Sequence, residues 1–153
     1  MGQPTHSYDF SSIENDITLQ KSTSSSSFKT LLGNNIELEG SNLVFTSEGK
    51  IINLSGIVGG IDTSCSSNTK DVLIECAYFR PDSIIGKAVR YNIHSDASHK
   101  FERGTDPLCH QKVLRRFIEI VKDHVEIYKL ELYRNSSYEF KEAELDLNLE
   151  RIN

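Results

Sequence analysis

Short β-prone segments alternate with turn residues across residues 17–55, and this alternation constrains the fold more than any other feature. The segments lie at residues 17–19, 35–38, 43–46 and 50–54. Gly-Asn, Gly-Ser and Glu-Gly pairs separate them, and such pairs favour tight reversals of the backbone. Strands joined by short reversals pair antiparallel, so we predict a set of antiparallel strands.

The rest of the chain predicts further strands and one irregular tract. Residues 72–79 are nearly all apolar, which predicts a strand buried on both faces. Alternation of apolar and polar residues predicts strands at 127–133 and 144–149. The serine-rich tract 22–27 has no side chain able to anchor it, and we therefore predict a mobile loop there.

Two helices are predicted. The first spans about 81–91 and begins with proline, and Asn92 after it is predicted to adopt the left-handed conformation of a helix end. The second spans about 106–124 and carries an apolar stripe that is expected to pack on the sheet. Antiparallel β layers with helices packed on one side define an α+β fold.

Composition restricts the class of protein. The chain has 153 residues and a net charge of -5, which argues against a broad nucleic-acid surface because phosphate binding needs clustered Lys and Arg. Its three irregularly spaced cysteines suit free thiols in a reducing cytosol. No apolar run approaches the roughly 18 residues that span a bilayer. We expect a cytoplasmic protein whose contacts with RNA are local.

Glu75 interrupts the apolar run 72–79. A carboxylate in such a place loses its hydration unless another group binds it. It could form an ion pair with Lys or Arg at a strand edge, or it could face a pocket and accept a hydrogen bond from a ligand. Both interpretations stay open at this point.

Three clustered glycines and one histidine are further candidates. Gly56, Gly59 and Gly60 match neither the Walker pattern nor the dinucleotide fingerprint. They form either a tight turn or a place where a ligand approaches the backbone closely. His6 alone would be read as an exposed residue near a chain end.

The segment 94–107 is rich in polar residues and is predicted to be a loop that carries a site or satisfies its own backbone. A zinc site built from His94, His99, Cys109 and His110 lacks any standard ligand spacing. A nucleophilic pair of Cys109 and His110 is disfavoured because adjacent helical residues point in different directions.

Five stretches stand out in order along the chain. They are Gly-Gln-Pro-Thr-His-Ser-Tyr-Asp at 2–9, Gly-Ile-Val-Gly-Gly at 56–60, Leu-Ile-Glu-Cys-Ala-Tyr-Phe at 73–79, Asp-Ser-Ile-Ile-Gly-Lys-Ala-Val-Arg at 82–90, and His-Ser-Asp-Ala-Ser-His-Lys-Phe-Glu-Arg-Gly-Thr-Asp-Pro at 94–107. Together they resemble the editing domain of bacterial phenylalanyl-tRNA synthetase β subunits. The resemblance covers about residues 1–125.

This resemblance implies a three-layer β/β/α arrangement and hydrolysis of tyrosine wrongly attached to the phenylalanine tRNA. The position of His6 would lie beside the scissile ester, and that of Glu75 would meet the hydroxyl of the tyrosine ring. Gly59, Ser95 and Ala97 would line the amino-acid pocket. The family usually has Thr at position 95, and Ser95 keeps the hydroxyl but lacks the methyl group.

The resemblance also implies domain limits and partners. Residues 1–143 would form the editing domain without a segment that precedes it in the family, and residues 144–153 would begin the next domain. The family is a cytoplasmic α2β2 synthetase. The whole synthetase uses ATP and magnesium, and we expect no cofactor or metal within this chain itself. The implied partners are the mischarged phenylalanine tRNA and the α subunit. No association with a membrane is implied.

Two other functions stay open: a non-catalytic module that docks tRNA or the α subunit, and a free-standing deacylase. The absent preceding segment favours the first, and the start of a following domain after residue 144 argues against the second. We expect the chain by itself to fold but to hydrolyse tyrosyl-tRNA weakly or not at all, because His6 would lie near a frayed terminus.

Overall fold

The computed structural model describes residues 2–135, which contain eight strands, four α-helices and one 3-10 turn. The strands are β1 His6–Asp9, β2 Thr18–Ser22, β3 Ser26–Lys29, β4 Asn35–Leu38, β5 Asn42–Ser47, β6 Lys50–Leu54, β7 Val58–Gly59 and β8 Val72–Glu75. The helices are α1 Pro81–Ile84, α2 Lys87–Arg90, α3 Asp96–Arg103 and α4 His110–Lys122. This content confirms the α+β class. No helix among the described residues is long and apolar enough to cross a membrane.

The strands form one four-stranded sheet, in the order β2-β5-β6-β7, and two strand pairs, β1-β8 and β3-β4. Every pairing is antiparallel, which confirms the prediction for the strands within residues 17–55. Between β5 and β6, Glu48 and Gly49 have φ angles of 46° and 77°. Two consecutive left-handed residues produce a tight hairpin turn, so local chemistry sets this pairing.

The core joins the sheets to the first three helices. The Phe79 ring packs edge to face on Phe45 and Phe101, with centroid distances of 6.1 and 4.9 Å. Gly56 permits this packing: its φ is 70°, and a Cβ there would come within 2.9 Å of Ile84 Cδ1. Each fully buried side chain of this size stabilises the fold by roughly 1.5–3 kcal/mol. The cluster fixes the segment that leads into β7.

Two predicted strands are wrong. The strand at 72–79 ends at Glu75 as β8, pairs only with β1, and leaves Val72 47% exposed, so it is not buried on both faces. Its apolar remainder leaves the strand to deliver Phe79 to the core. Residues 127–133 have no regular secondary structure, because no other described strand pairs with them. The strand predicted at 144–149 lies outside the described residues.

The mobile loop predicted at 22–27 is wrong at both ends. Ser22 is the last residue of β2, and Ser26 begins β3 by pairing with Leu38 on β4. Backbone hydrogen bonds to neighbouring strands hold these serines, so they need no anchoring side chain.

The first predicted helix is divided into α1 and α2 by Gly86, whose φ of 75° no helix tolerates. Asn92 has a φ of 52°, which confirms its predicted left-handed conformation.

The second predicted helix starts later and packs less than expected. It begins at His110 rather than at 106, because the Asp106 carboxylate accepts a hydrogen bond from Leu108 N at 2.8 Å and forms a local turn. Within α4 only Val113 is buried, and Leu108 before it is 63% exposed. The core is closed by α1 to α3 and includes no residue of α4, so the expected packing of α4 on the sheet is wrong.

Candidate functional site

The pairing of β1 with β8 places His6 directly opposite Glu75. Cross-strand partners project to the same face of a sheet, and so do residues two apart on one strand. Tyr8 therefore shares the face of His6, and their rings meet edge to face with centroids 4.4 Å apart. Two segments that are far apart in the sequence thus assemble an imidazole, a phenol and a carboxylate.

Gly59 brings β7 against this face. A Cβ on Gly59 would overlap the His6 imidazole and stand 2.5 Å from its Nε2, so the ring lies directly on the glycine backbone. Leu31, on the loop after β3, donates its N–H to Gly59 O at 2.9 Å and packs from another side. The group that lies against Gly59 is the His6 ring, and the approach of a ligand to the glycine backbone stays a prediction.

Behind Glu75 lies a chain of buried polar groups. Asn53 Nδ2 donates to the Tyr8 hydroxyl at 2.9 Å, and that hydroxyl donates to Glu75 Oε2 at 3.5 Å. Tyr8 is fully buried, and Asn53 pairs with Gly59 across β6 and β7. Sequence reasoning missed Asn53 and gave Tyr8 no role. The available signal was a polar side chain inside the apolar strand at 50–54.

Burial changes the protonation of both predicted polar residues. It raises the pKa of Glu75 to about 7, while the Tyr8 hydrogen bond acts in the opposite direction. It lowers the pKa of His6, whose buried Nε2 has no hydrogen-bond partner among residues 2–135. No ion pair in that range includes Glu75, so the interpretation as a strand-edge ion pair is wrong. The site presents a neutral imidazole beside a carboxyl group that titrates near neutrality.

Ser95 and Ala97 lie at the start of α3, where the sequence predicted a loop. Ser95 Oγ accepts a hydrogen bond from Ser98 N at 3.1 Å, which caps the helix, and donates to Ile57 O at 2.7 Å. Ala97 is partly buried against the core. Ser95 makes no described hydrogen bond to His6 or Glu75. The structure thus brings His6, Gly59 and Glu75 together and ties Ser95 to the segment that enters β7; the roles of all five stay predictions.

A cavity lies apart from the five predicted site residues, and the described residues form no metal site. A cavity of about 300 Å³ lies between the first residues and the end of α3, with Gln3, Arg103 and Cys109 in its wall, and none of the five predicted site residues lines it. In the described part of the chain, no three His, Cys, Asp or Glu side chains are grouped to hold a metal ion.

Comparison with known proteins places the chain in a family. The profile of the B3/4 domain matches residues 1–126. The chain is 37% identical over 123 residues to the phenylalanine–tRNA ligase β subunit of Dickeya dadantii (strain 3937), covering 80% of this chain and 16% of that protein. The same subunit of Pectobacterium atrosepticum is 35% identical with the same coverage, and that of Francisella tularensis is 32% identical over 122 residues, 80% of this chain and 15% of that protein.

The chain therefore spans about a sixth of the length of these relatives. The profile match extends over all three strands of the site, from β1 to β8, and over α3. The chain belongs to the B3/4 domain family.

Proposed function

We propose that this chain is the editing domain of a phenylalanine–tRNA ligase β subunit and hydrolyses tyrosine from mischarged phenylalanine tRNA. The observation that carries the proposal is Glu75, a partly buried carboxyl group with no ionic partner in the described chain, opposite an imidazole with an unpaired nitrogen. The proposed partners are that tRNA and the α subunit of a cytoplasmic α2β2 synthetase. ATP and magnesium would serve that synthetase outside this site.

Selection needs an acceptor such as Glu75. A hydrophobic pocket built for phenylalanine rejects an isostere with an added hydroxyl by roughly a hundredfold at best. A second site can reverse the preference, because Glu75 would accept a hydrogen bond from the tyrosine hydroxyl. Phenylalanine in the same place would leave the carboxylate unpaired, which costs on the order of 1–3 kcal/mol.

Hydrolysis of the ester needs water to be oriented and protons to move. The water oxygen bonds to the carbonyl carbon, the bond from that carbon to the ribose oxygen breaks, and the ribose oxygen takes up a proton. His6 is suited to this task because burial lowers its pKa and keeps its imidazole neutral, and a neutral imidazole has one nitrogen that can accept a proton or a hydrogen bond. Its Nε2 is buried against Gly59, so the ring would have to turn for that atom to reach water. Gly59 supports the ring from behind.

The remaining predicted residues would shape the pocket. Ala97 would keep it open because its side chain is small. Ser95 would hold the start of α3 against Ile57, and its hydroxyl is already used by the backbone on both sides. We therefore assign Ser95 to the wall of the pocket.

A second candidate is a non-catalytic module that docks another part of the synthetase. Large apolar side chains that remain exposed just before, on and after α4 favour it: Leu108, Ile120, Val125, Tyr128, Leu130, Leu132 and Tyr133. Hydrolysis of tyrosyl-tRNA by the protein distinguishes the two candidates, since a docking module has none.

The test replaces Glu75 with Ala in the protein as its host makes it. We expect phenylalanine charging to stay unchanged and tyrosyl-tRNA to accumulate, because only the acceptor for the ring hydroxyl is lost. Glu37→Ala is the matched control, since Glu37 is an exposed carboxylate on β4. Hydrolysis of tyrosyl-tRNA at the wild-type rate by Glu75→Ala would remove Glu75 from the mechanism.

A further inference from the structure

Tyr8 and Asn53 form a directed pair behind Glu75. The amide nitrogen of Asn53 can only donate, so the Tyr8 oxygen accepts that bond and its own proton must point elsewhere. The described acceptor for this proton is Glu75 Oε2 at 3.5 Å. Burial, and then the charge of Glu75, raise the pKa of Tyr8, so its hydroxyl stays a donor. Asn53 therefore sets the direction in which Tyr8 donates.

The pair leaves Glu75 with one engaged and one free oxygen. Oε2 receives the Tyr8 hydroxyl, whereas Oε1 has no hydrogen-bond partner among residues 2–135. The distance of 3.5 Å is long for a hydrogen bond between oxygens, so this contact leaves Glu75 free to accept a stronger bond. Tyr8 is fully buried and Asn53 is 4% exposed, so neither can move away without opening the core.

We propose that Tyr8 and Asn53 are specificity-determining positioning residues, which hold Glu75 so that one carboxylate oxygen is reserved for a hydroxyl on the side chain of an aminoacyl ester. This inference rests on the proposed function. The Tyr8 contact favours the ionised form of Glu75. An unpaired carboxylate disfavours phenylalanine more strongly than an unpaired neutral acid does, so the pair increases the preference for tyrosine.

The first experiment compares tyrosyl- and phenylalanyl-tRNA hydrolysis by the wild-type protein and by Tyr8→Phe, which keeps the ring in the core. We expect the ratio of kcat/KM for the two esters to fall by roughly two- to fivefold, because a contact of 3.5 Å is weaker than a full hydrogen bond. The change should lie mainly in KM for the tyrosyl ester, because His6 is untouched. Asn53→Ala should lower the same ratio.

Tyr91→Phe is the matched control. The Tyr91 hydroxyl bonds Glu39 and Asn42 at 3.0 to 3.2 Å, away from β1 and β8. Its removal deletes hydrogen bonds from a partly buried phenol without touching Glu75. If the role of Tyr8 were purely structural, Tyr8→Phe and Tyr91→Phe would both lower the melting temperature and leave the ester ratio unchanged. That outcome would overturn the proposal.

A second measurement separates this proposal from the proposed function. Carbon-13 NMR of the labelled Glu75 carboxyl group reports its titration directly, and we expect its pKa to rise in Tyr8→Phe and not in Tyr91→Phe. An unchanged titration in Tyr8→Phe would overturn the inference. If the wild-type protein cleaves neither ester, the proposed function fails. In that case the titration still decides whether Tyr8 and Asn53 hold Glu75. The relative affinities for tyrosine amide and phenylalanine amide decide whether the site favours a hydroxyl.

Discussion

Glu75 makes the stability of this fold depend on pH. In the folded chain burial raises its pKa to about 7, above the ordinary value of 4.5. Between these values the folded state binds more protons than the unfolded state, so its free energy of unfolding falls as pH rises. The stability that Glu75 contributes is complete below pH 4.5 and is lost as pH rises through 7.

Glu75→Gln should remove this dependence, because the amide is neutral at every pH. Each pKa unit corresponds to about 1.4 kcal/mol, so we expect the variant to equal the wild type near pH 4.5 and to exceed it by up to about 3 kcal/mol at pH 8. Urea unfolding at both pH values measures the difference. If the free energies of unfolding of Glu75→Gln and the wild type differed by the same amount at pH 4.5 and at pH 8, the described environment of Glu75 would be contradicted.

Residues within motifs could be singled out from the sequence, whereas Asn53 offered only the weaker signal of a polar side chain inside an apolar strand. His6, Gly59 and Glu75 lie in stretches with a recognisable pattern, and the structure brings these three together. Asn53 belongs to no such stretch, and its role depends on Tyr8, which is 45 positions away in the sequence. A contact of this kind follows from how sheets pack, which local spacing does not reveal.

At the scale of elements, the contact between β7 and β1 has no room for a side chain. A Cβ on Gly59 would overlap the His6 ring, so Gly59→Ala should shift the ring or the strand, destabilise the fold by about 1–3 kcal/mol and abolish hydrolysis. Thermal melts and a tyrosyl-tRNA deacylation assay measure the two effects.

Gly33→Ala is the control for that substitution. Gly33 has a left-handed φ of 82° and nothing within 4 Å of a Cβ, so the change adds strain of about 1–2 kcal/mol without touching the site. Normal hydrolysis by Gly59→Ala would contradict the described contact with His6.

The start of α3 offers a separate prediction. Ser95→Ala removes the cap and the bond to Ile57, and we expect a loss of about 1–2 kcal/mol in the free energy of unfolding. Ser95→Thr keeps the hydroxyl and should stay close to the wild type. Equal losses in the two variants, measured by urea unfolding, would show that the hydroxyl does not hold this helix.

The elements that the sequence misjudged have different causes. Helix α3 was predicted as a loop because its polar residues outnumber its apolar ones, although Ser95 is a good N-cap and Ala97 and Phe101 share one face. The stretch 127–133 alternates as a strand does, but it has no partner among the described residues. The hairpin of β5 and β6 was predictable from its local turn residues, whereas the start of β3 in the serine-rich tract was not.

In the whole molecule, the candidate site joins three separate parts of the chain. β1 supplies His6 near the start of the chain, whereas the consecutive strands β7 and β8 supply Gly59 and Glu75. The net charge of -5 argues against a broad nucleic-acid surface, so the tRNA of the proposed function would make only local contacts with this chain. Recognition of the motifs identified the family, but the order of strands had to come from the structure.

The most direct test of this account is the single-turnover rate at which the wild-type protein, as its host makes it, cleaves tyrosyl-tRNA and phenylalanyl-tRNA. With protein in excess at pH 7, we predict that the tyrosyl ester is cleaved about ten to a hundred times faster, because one hydrogen bond to a buried carboxylate separates the two ligands. Equal rates for the two esters, or cleavage of neither, would contradict the account.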